Sequence, residues 1–199
     1  MLIKSFQNLP SCFITATDTD AGKTYISCQI IQAWQQQGLK VGAFKPIASG
    51  AIWQLSKLVS EDAIELAKVT GQTPEEINPF TFEQPASPHI ADVNNEFDLD
   101  RCLRQFKQMQ QKYDRILVEG VGGWCVPLSD QLMLRDLANA INLPIVMVAR
   151  ISLGCINHSL LTIDKIKQDT ELYHGWIANQ IDLSFADSKA NINAIIDRS

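Results

Sequence analysis

One stretch constrains this chain more than any other: Ser11-Cys12-Phe13-Ile14-Thr15-Ala16-Thr17-Asp18-Thr19-Asp20-Ala21-Gly22-Lys23-Thr24. It opens on an apolar run, Cys12 to Thr15, that reads as a buried strand. It closes on Gly-Lys-Thr. A helical period follows, with Ile26, Ile30, Ala33 and Trp34 on one face. Strand, loop, Gly-Lys-Thr and helix is the order of a phosphate-binding P-loop. Backbone N–H groups at the helix start would face a polyphosphate, and the helix dipole favours its negative charge. Lys23 would reach the outer phosphates, and the Thr24 hydroxyl would hold Mg²⁺. The strict pattern has a glycine five residues before Gly22, where Thr17 stands. The flanking strand and helix therefore carry the reading, not the tripeptide alone.

Further strands follow as continuous apolar runs: Val41 to Phe44, Arg115 to Val118, Pro144 to Ala149 and Trp176 to Ala178. Helical patterns lie between them. One starts at Ser60-Glu61-Asp62, continues through Ile64, Ala67 and Lys68, and stops at Gly71. A second is capped by Asp98 and aligns Leu99, Cys102, Leu103, Phe106, Met109 and Tyr113. A third centres on Leu134, Leu137, Ala138 and Ile141. A fourth follows Gly154 with Ile156, Leu160, Ile163 and Ile166 on one face, and residues 186 to 198 read as a last one. Strands alternating with helices predict an α/β fold: a P-loop NTPase-type parallel sheet with helices on both faces. Lys45 to Gly50 reads as a loop by its Pro, Ser and Gly. Residues 72 to 95 hold four prolines and read as irregular surface, either a functional loop or a plain excursion. With no repeat or linker, residues 1–199 are expected to form a single P-loop domain.

Composition narrows the function classes. The net charge of −5 argues against general binding to nucleic acid or anionic membranes. No apolar run reaches the length of a membrane span. Met1 to Pro10 has one lysine and no long apolar segment, so no secretory signal is expected. The five cysteines are scattered and form no C-x-x-C pair, which predicts reduced thiols in a cytoplasmic protein. His89, His158 and His174 lie too far apart in sequence to suggest zinc.

In such sheets ligands bind outside the carboxyl ends of the strands. Those ends carry the P-loop, Lys45, Glu119 with its glycines, Arg150 to Gly154, and Asn179. Glu119 could bind Mg²⁺ or be a strand-end carboxylate held by backbone donors. Asp62 could do the same, or simply favour a helix N-terminus. Lys45 could hold an anion or be an exposed lysine.

The motifs taken together resemble a known family. Thr17-Asp18-Thr19 with Gly22-Lys23-Thr24 is followed by Lys45-Pro46-Ile47-Ala48-Ser49-Gly50, Asp62-Ala63 and Ser87-Pro88-His89. Val118-Glu119-Gly120-Val121-Gly122-Gly123-Trp124, Pro127-Leu128, Leu153-Gly154-Cys155-Ile156-Asn157-His158 and Trp176-Ile177-Ala178-Asn179 complete the set. In this order the chain resembles the dethiobiotin synthetases, ATP-dependent enzymes of biotin synthesis.

The resemblance implies a homodimer that closes a urea ring on 7,8-diaminononanoate, using CO₂ (or bicarbonate) and MgATP. It implies a carbamate, then a carbamic-phosphoric anhydride, with no nucleic-acid or membrane partner. Carried onto this chain, Lys45 and Lys23 stabilise the carbamate and the transferring phosphoryl group, and Thr19 assists. Thr24, Asp62 and Glu119 surround Mg²⁺. Nucleotide contacts fall on Asp20, Ala21, Gly22, Lys23, Thr24, Tyr25, Asp62, Glu119, Gly120, Val121, Gly122, Asn179 and Gln180, with Asn179 reading adenine. Ser49 and Gly122 touch the diamine, and Asn157 reaches the partner subunit's substrate. Three departures accompany the match. Ala16 stands where the family usually has glycine, which predicts strain if that backbone needs positive φ. Gln180 stands where aspartate is common, and the sequence stops at Ser199 where the family usually continues into a base-contacting loop. Two other readings compete. A P-loop amidating ligase of the cobyrinate diamide synthase type would need a glutamine-hydrolysing domain, for which 199 residues leave no room. A partitioning-type ATPase switch would carry an extra lysine early in the P-loop, and residues 16 to 20 contain none.

Overall fold

The apolar runs become strands because each is too short to prefer a helix and carries β-branched or aromatic residues, which suit a pleated surface. In a computed structural model that describes residues 8–199, the chain runs β1 (Cys12–Ala16), α1 (Lys23–Gln35), β2 (Val41–Phe44), β3 (Ile47–Ser49), β4 (Ile52–Gln54) and β5 (Lys57–Val59). It continues through α2 (Glu61–Thr70), α3 (Pro74–Ile77), β6 (Phe80–Phe82), α4 (Pro88–Ala91), α5 (Leu99–Lys112) and β7 (Arg115–Glu119). The remainder is α6 (Leu134–Ile141), β8 (Ile145–Arg150), α7 (Cys155–Asp169), β9 (Tyr173–Asn179) and α8 (Ser188–Ile196). The expectation for Met1 to Pro10 lies largely outside the described residues.

Five strands form one parallel sheet in the order β2-β7-β1-β8-β9. β1 is central: Cys12 pairs with Leu117 of β7, and Phe13 with Ile145 of β8. Successive side chains of a strand point to opposite faces. Cys12, Ile14 and Ala16 accordingly pack with Ile26, Ile30 and Trp34 of α1 and Leu66 of α2. Phe13 packs on the other face with Phe106 of α5, Leu134 of α6 and Ile163 of α7. The sheet is thus covered on both faces, and all five strands end at one edge.

Local signals explain the helix boundaries. Ser60 accepts a hydrogen bond from Ala63 N at 3.2 Å and caps α2, a bond worth about 1 kcal/mol. Asp98 caps α5 in the same way through Arg101 N. Gly71 ends α2 at φ 73, where an L side chain is strained. Ala16 ends β1 without positive φ, so the strain its family departure predicted does not arise.

Three local expectations are corrected, and one element that the sequence did not mark appears. Ile47–Ser49, read as loop, is a short strand parallel to β6. The irregular stretch 72 to 95 holds β6 and two single-turn helices. Ile52–Val59 is an antiparallel hairpin whose turn, Leu55-Ser56, has positive φ at both residues. It lacks the Asn-Gly chemistry that marks such turns in a sequence. On α7 the fully buried positions are Cys155, Ser159, Ile163 and Ile166, so Ile156 and Leu160 flank the buried stripe.

Candidate active site

The P-loop occupies the central strand's end. Gly22 has φ 84, and a Cβ there would meet Asn179 Nδ2 at 2.1 Å. The glycine is required by both conformation and space. On the facing side, Asn179 Nδ2 donates to Ala21 O at 2.9 Å and ties the end of β9 to the loop. Lys23 folds back over the loop. Its Nζ donates to Gly122 O at 2.7 Å and Asp18 O at 3.3 Å. Burial, then repulsion from Lys45, pulls its pKa down to about 8.

Beside it sits a compact ionic cluster. Lys45 follows β2 directly, Glu119 ends β7, and Asp62 lies in the first turn of α2. Lys45 Nζ stands 2.9 Å from Asp62 Oδ2 and 2.9 Å from Glu119 Oε1. Burial alone would lower the lysine's pKa, but the charges of Glu119 and Asp62 outweigh it and hold Lys45 above the ordinary lysine value. Burial would likewise raise Asp62, and Lys45 and Thr24 more than offset this. Ser27, one turn along α1 from Thr24, donates to Glu119 Oε2 at 2.7 Å. Sequence reasoning missed Ser27, although its i,i+3 spacing from Thr24 puts both hydroxyls on one helix face.

Whether this cluster suits a divalent cation can be judged from its donors. The Thr24 hydroxyl lies 2.6 Å from Asp62 Oδ1 and 2.8 Å from Glu119 Oε1. It has one proton for two carboxylate oxygens. An excess of hard oxygen acceptors, open to the cleft through Asp62, fits Mg²⁺.

The cluster floors a cleft of about 620 Å³. Thr19, Asp20, Gly22, Lys23, Thr24, Lys45, Ser49, Asp62, Val121 and Gly122, all anticipated from sequence, line it. Two further walls complete the cleft: Pro85 to Pro88, within the stretch whose prolines left a functional loop open, and Cys125 to Pro127, which the sequence did not mark as site. The Ser49 hydroxyl is buried in this region without a hydrogen-bond partner. Glu119 and Gly120 lie beneath the cleft, where Gly120 O is 3.3 Å from Lys45 Nζ. Ala21 is buried within the P-loop. Tyr25 is 62% exposed on α1 and does not line the cleft. Gln180 is bonded instead to Ser188 Oγ at 2.7 Å. Asn157 is exposed in the first turn of α7, also outside the cleft.

The fold has known parallels. A ParA family ATPase from Chlorobium tepidum TLS matches with TM-score 0.57 at 15% identity, covering 94% of this chain and 81% of that one. The kinase domain of the Escherichia coli tyrosine kinase ETK matches with TM-score 0.55 at 16% identity, covering 89% of this chain and 69% of that one. At such identities these parallels establish the P-loop α/β fold. Sequence relatives say more. An AAA domain family model matches residues 11–197. The ATP-dependent dethiobiotin synthetase of Aromatoleum aromaticum is 35% identical over 92% of this chain and 83% of that protein. The synthetases of Yersinia pestis and Idiomarina loihiensis are 40% and 39% identical, over 85% and 84% of this chain and 72% and 78% of theirs. With this identity spread along nearly the whole chain, around a P-loop cleft with a buried lysine between two carboxylates, the chain belongs to the dethiobiotin synthetase family of ATP-dependent ligases.

Proposed function

We propose that this chain, as one P-loop domain, closes the urea ring of dethiobiotin on 7,8-diaminononanoate with CO₂ and ATP, in the cytoplasmic synthesis of biotin. The observation that carries the reading is the cluster of Lys23, Lys45, Asp62 and Glu119 at one end of a cleft whose other walls are largely apolar. Anions belong at the first end, an aliphatic diamine at the second.

The chemistry follows from that division. One substrate amine takes up CO₂ as a carbamate and releases a proton. A carbamate oxygen then attacks the γ-phosphorus of ATP, and the bond to the β-phosphate oxygen breaks, releasing ADP. The second amine attacks the carbon of the carbamic-phosphoric anhydride, and phosphate leaves as the ring closes. Phosphoryl transfer requires mainly positioning and charge stabilisation. Lys45 and Lys23 supply two ammonium groups for the carbamate and phosphoryl oxygens, and Thr19 at the cleft mouth adds a hydroxyl. Mg²⁺ held by Thr24, Asp62 and Glu119 would neutralise phosphate charge. Asp20 to Thr24, Gly120 to Gly122 and Asn179 would contribute to the nucleotide site, while Tyr25, outside the cleft, and Gln180, bonded to Ser188, could reach the nucleotide only by moving. Ser49, whose buried hydroxyl lacks a partner, and Gly122 would bind the diamine.

Asn157, exposed and outside the cleft, fits a role across a subunit boundary. Leu153 and Leu161, 89% and 63% exposed on either side of it, suit a homodimer contact. Sedimentation at assay concentration tests this: a fully active monomer would refute it. Three of the five cysteines are buried and all are free, consistent with a reducing compartment. No helix among the described residues is long and apolar enough to cross a membrane. The partitioning-type switch is separated from the ligase by nucleotide turnover. A ligase releases ADP only with diamine present, whereas diamine-independent ADP release would favour the switch.

A further inference from the structure

The apolar end of the cleft is held together by a chain of three groups. Ser87 Oγ lies 3.2 Å from Pro127 O, and His89 Nδ1 lies 3.0 Å from Ser87 Oγ. The His89 backbone N–H also donates to Pro127 O, at 3.4 Å. A carbonyl oxygen only accepts, so the single Ser87 proton points to Pro127. The hydroxyl's lone pair then faces His89, which must carry its proton on Nδ1. The order is His89 Nδ1–H to Ser87 Oγ–H to Pro127 O.

Two features set this chain apart from local structure. Ser87 stands at the N-cap of α4, where a serine hydroxyl ordinarily accepts from its own helix. Here it makes no such bond and reaches instead across the cleft. The link also joins the two walls that bound the apolar end. Pro85 to Pro88 form one, and Cys125 to Pro127 form the other. The second wall is independently fixed to α6: Leu134 N donates to Val126 O at 2.8 Å, and Pro127 bridges Met133. The first wall is backed by the single turn α4 and tied at its entry by Gly50 N–H, which donates to Gln84 O at 3.1 Å. The separation of the walls at this end is thus set by the Ser87 link together with the His89 backbone bond to Pro127 O.

We propose that Ser87 and His89 are positioning residues for the diamine, setting the width of the apolar end and so the fit of the substrate's hydrocarbon chain. This rests on the ligase reading above. His89 is the informative member. It is exposed and does not line the cleft, so its side chain can act on the substrate only through Ser87.

The test is steady-state kinetics on the full chain with 7,8-diaminononanoate and with diamines shortened by one or two methylenes. Ser87→Ala and His89→Ala should each raise KM for the diamine by about 3- to 10-fold, the range of one neutral hydrogen bond. Both should also narrow the preference for the full-length chain. kcat and KM for ATP should stay within about twofold, because the phosphate end does not depend on the link. The double variant should be no worse than Ser87→Ala alone, as expected for groups acting in series. Ser87→Thr and His89→Asn keep the hydroxyl and a donor near Nδ1, and should restore KM. An unchanged diamine KM in His89→Ala, an equal loss in ATP KM, or no recovery in His89→Asn would overturn the proposal. Wild-type activity separates the two levels. If the wild type makes dethiobiotin and the variants do not differ from it, the positioning role alone fails. If the wild type makes none, the ligase reading fails and takes this role with it.

Discussion

Lys45 Nζ lies 2.9 Å from Glu119 Oε1, with the lysine 2% exposed and the carboxylate completely buried. These residues are 74 positions apart in the chain and meet because β2 and β7 are adjacent parallel strands ending at one edge. A buried cation between two carboxylates is both a candidate charge stabiliser and part of the fold.

Lys45→Ala should therefore have two effects. Turnover should fall by about 10²- to 10³-fold, the scale for a lost charge-stabilising donor. Unfolding free energy should fall by about 3–5 kcal/mol, because Glu119 is left buried with only hydroxyl partners. Assay and denaturant titration check the two independently. Turnover within about threefold of the parent would remove Lys45 from the chemistry.

Glu119→Gln keeps the shape of the side chain and removes its charge. The excess of acceptors around Thr24 then disappears. The Mg²⁺ concentration needed for half-maximal ATP use should rise by about 10- to 100-fold, as for altered metal-site partners. A magnesium titration that overlays the parent's would make Glu119 structural.

The base of the nucleotide should matter little. The two side chains that would read it are already engaged, Asn179 Nδ2 with Ala21 O and Gln180 Nε2 with Ser188 Oγ. Losing one modest hydrogen bond is worth about 0.5–1.5 kcal/mol. CTP and GTP should therefore support turnover within about tenfold of ATP in kcat/KM. A preference for ATP above about a thousandfold would show a complete adenine site.

Acid stability should depend on Asp169. It accepts from Trp124 Nε1 at 2.9 Å and also from Lys165, joining the glycine loop to the end of α7. Burial alone would raise its pKa, but the Lys165 and Trp124 hydrogen bonds outweigh this and hold it below the ordinary 3.8. A carboxylate with a depressed folded-state pKa stabilises fully above its unfolded value, and the effect is lost as pH falls through the folded value. Asp169→Asn should cost about 1–3 kcal/mol at pH 7, and the difference from the parent should shrink below about pH 4. Thermal unfolding across that range checks it, and a pH-independent difference would contradict the assignment.

Much of this architecture was legible in the sequence because it rests on local signals. Apolar runs marked β1, β2, β7, β8 and β9, and Ser60, Gly71 and Asp98 marked helix ends through capping chemistry. What was not legible depends on contacts distant in sequence. Gln72, which opens the proline-rich stretch, pairs with Ala43 on the edge strand β2: its Oε1 accepts from Ala43 N at 2.7 Å and its Nε2 donates to Ala43 O at 3.2 Å. It substitutes for a neighbouring strand, and nothing in its local pattern announces that. Lys45 could be read as exposed because its two partners lie in α2 and β7. The prolines around Pro85 to Pro88 left a functional loop and a plain excursion both open, and Cys125 to Pro127 is an irregular segment without periodicity, visible as site only once folded beside Ser49.

The central claim is tested most directly by one incubation of the full chain with 7,8-diaminononanoate, ¹³C-bicarbonate and MgATP, followed by mass spectrometry. The expected product is dethiobiotin carrying one ¹³C in the ureido carbon, with one ADP released per ring closed. ADP formed without diamine and without labelled product would contradict the account and leave the cleft as that of a nucleotide switch.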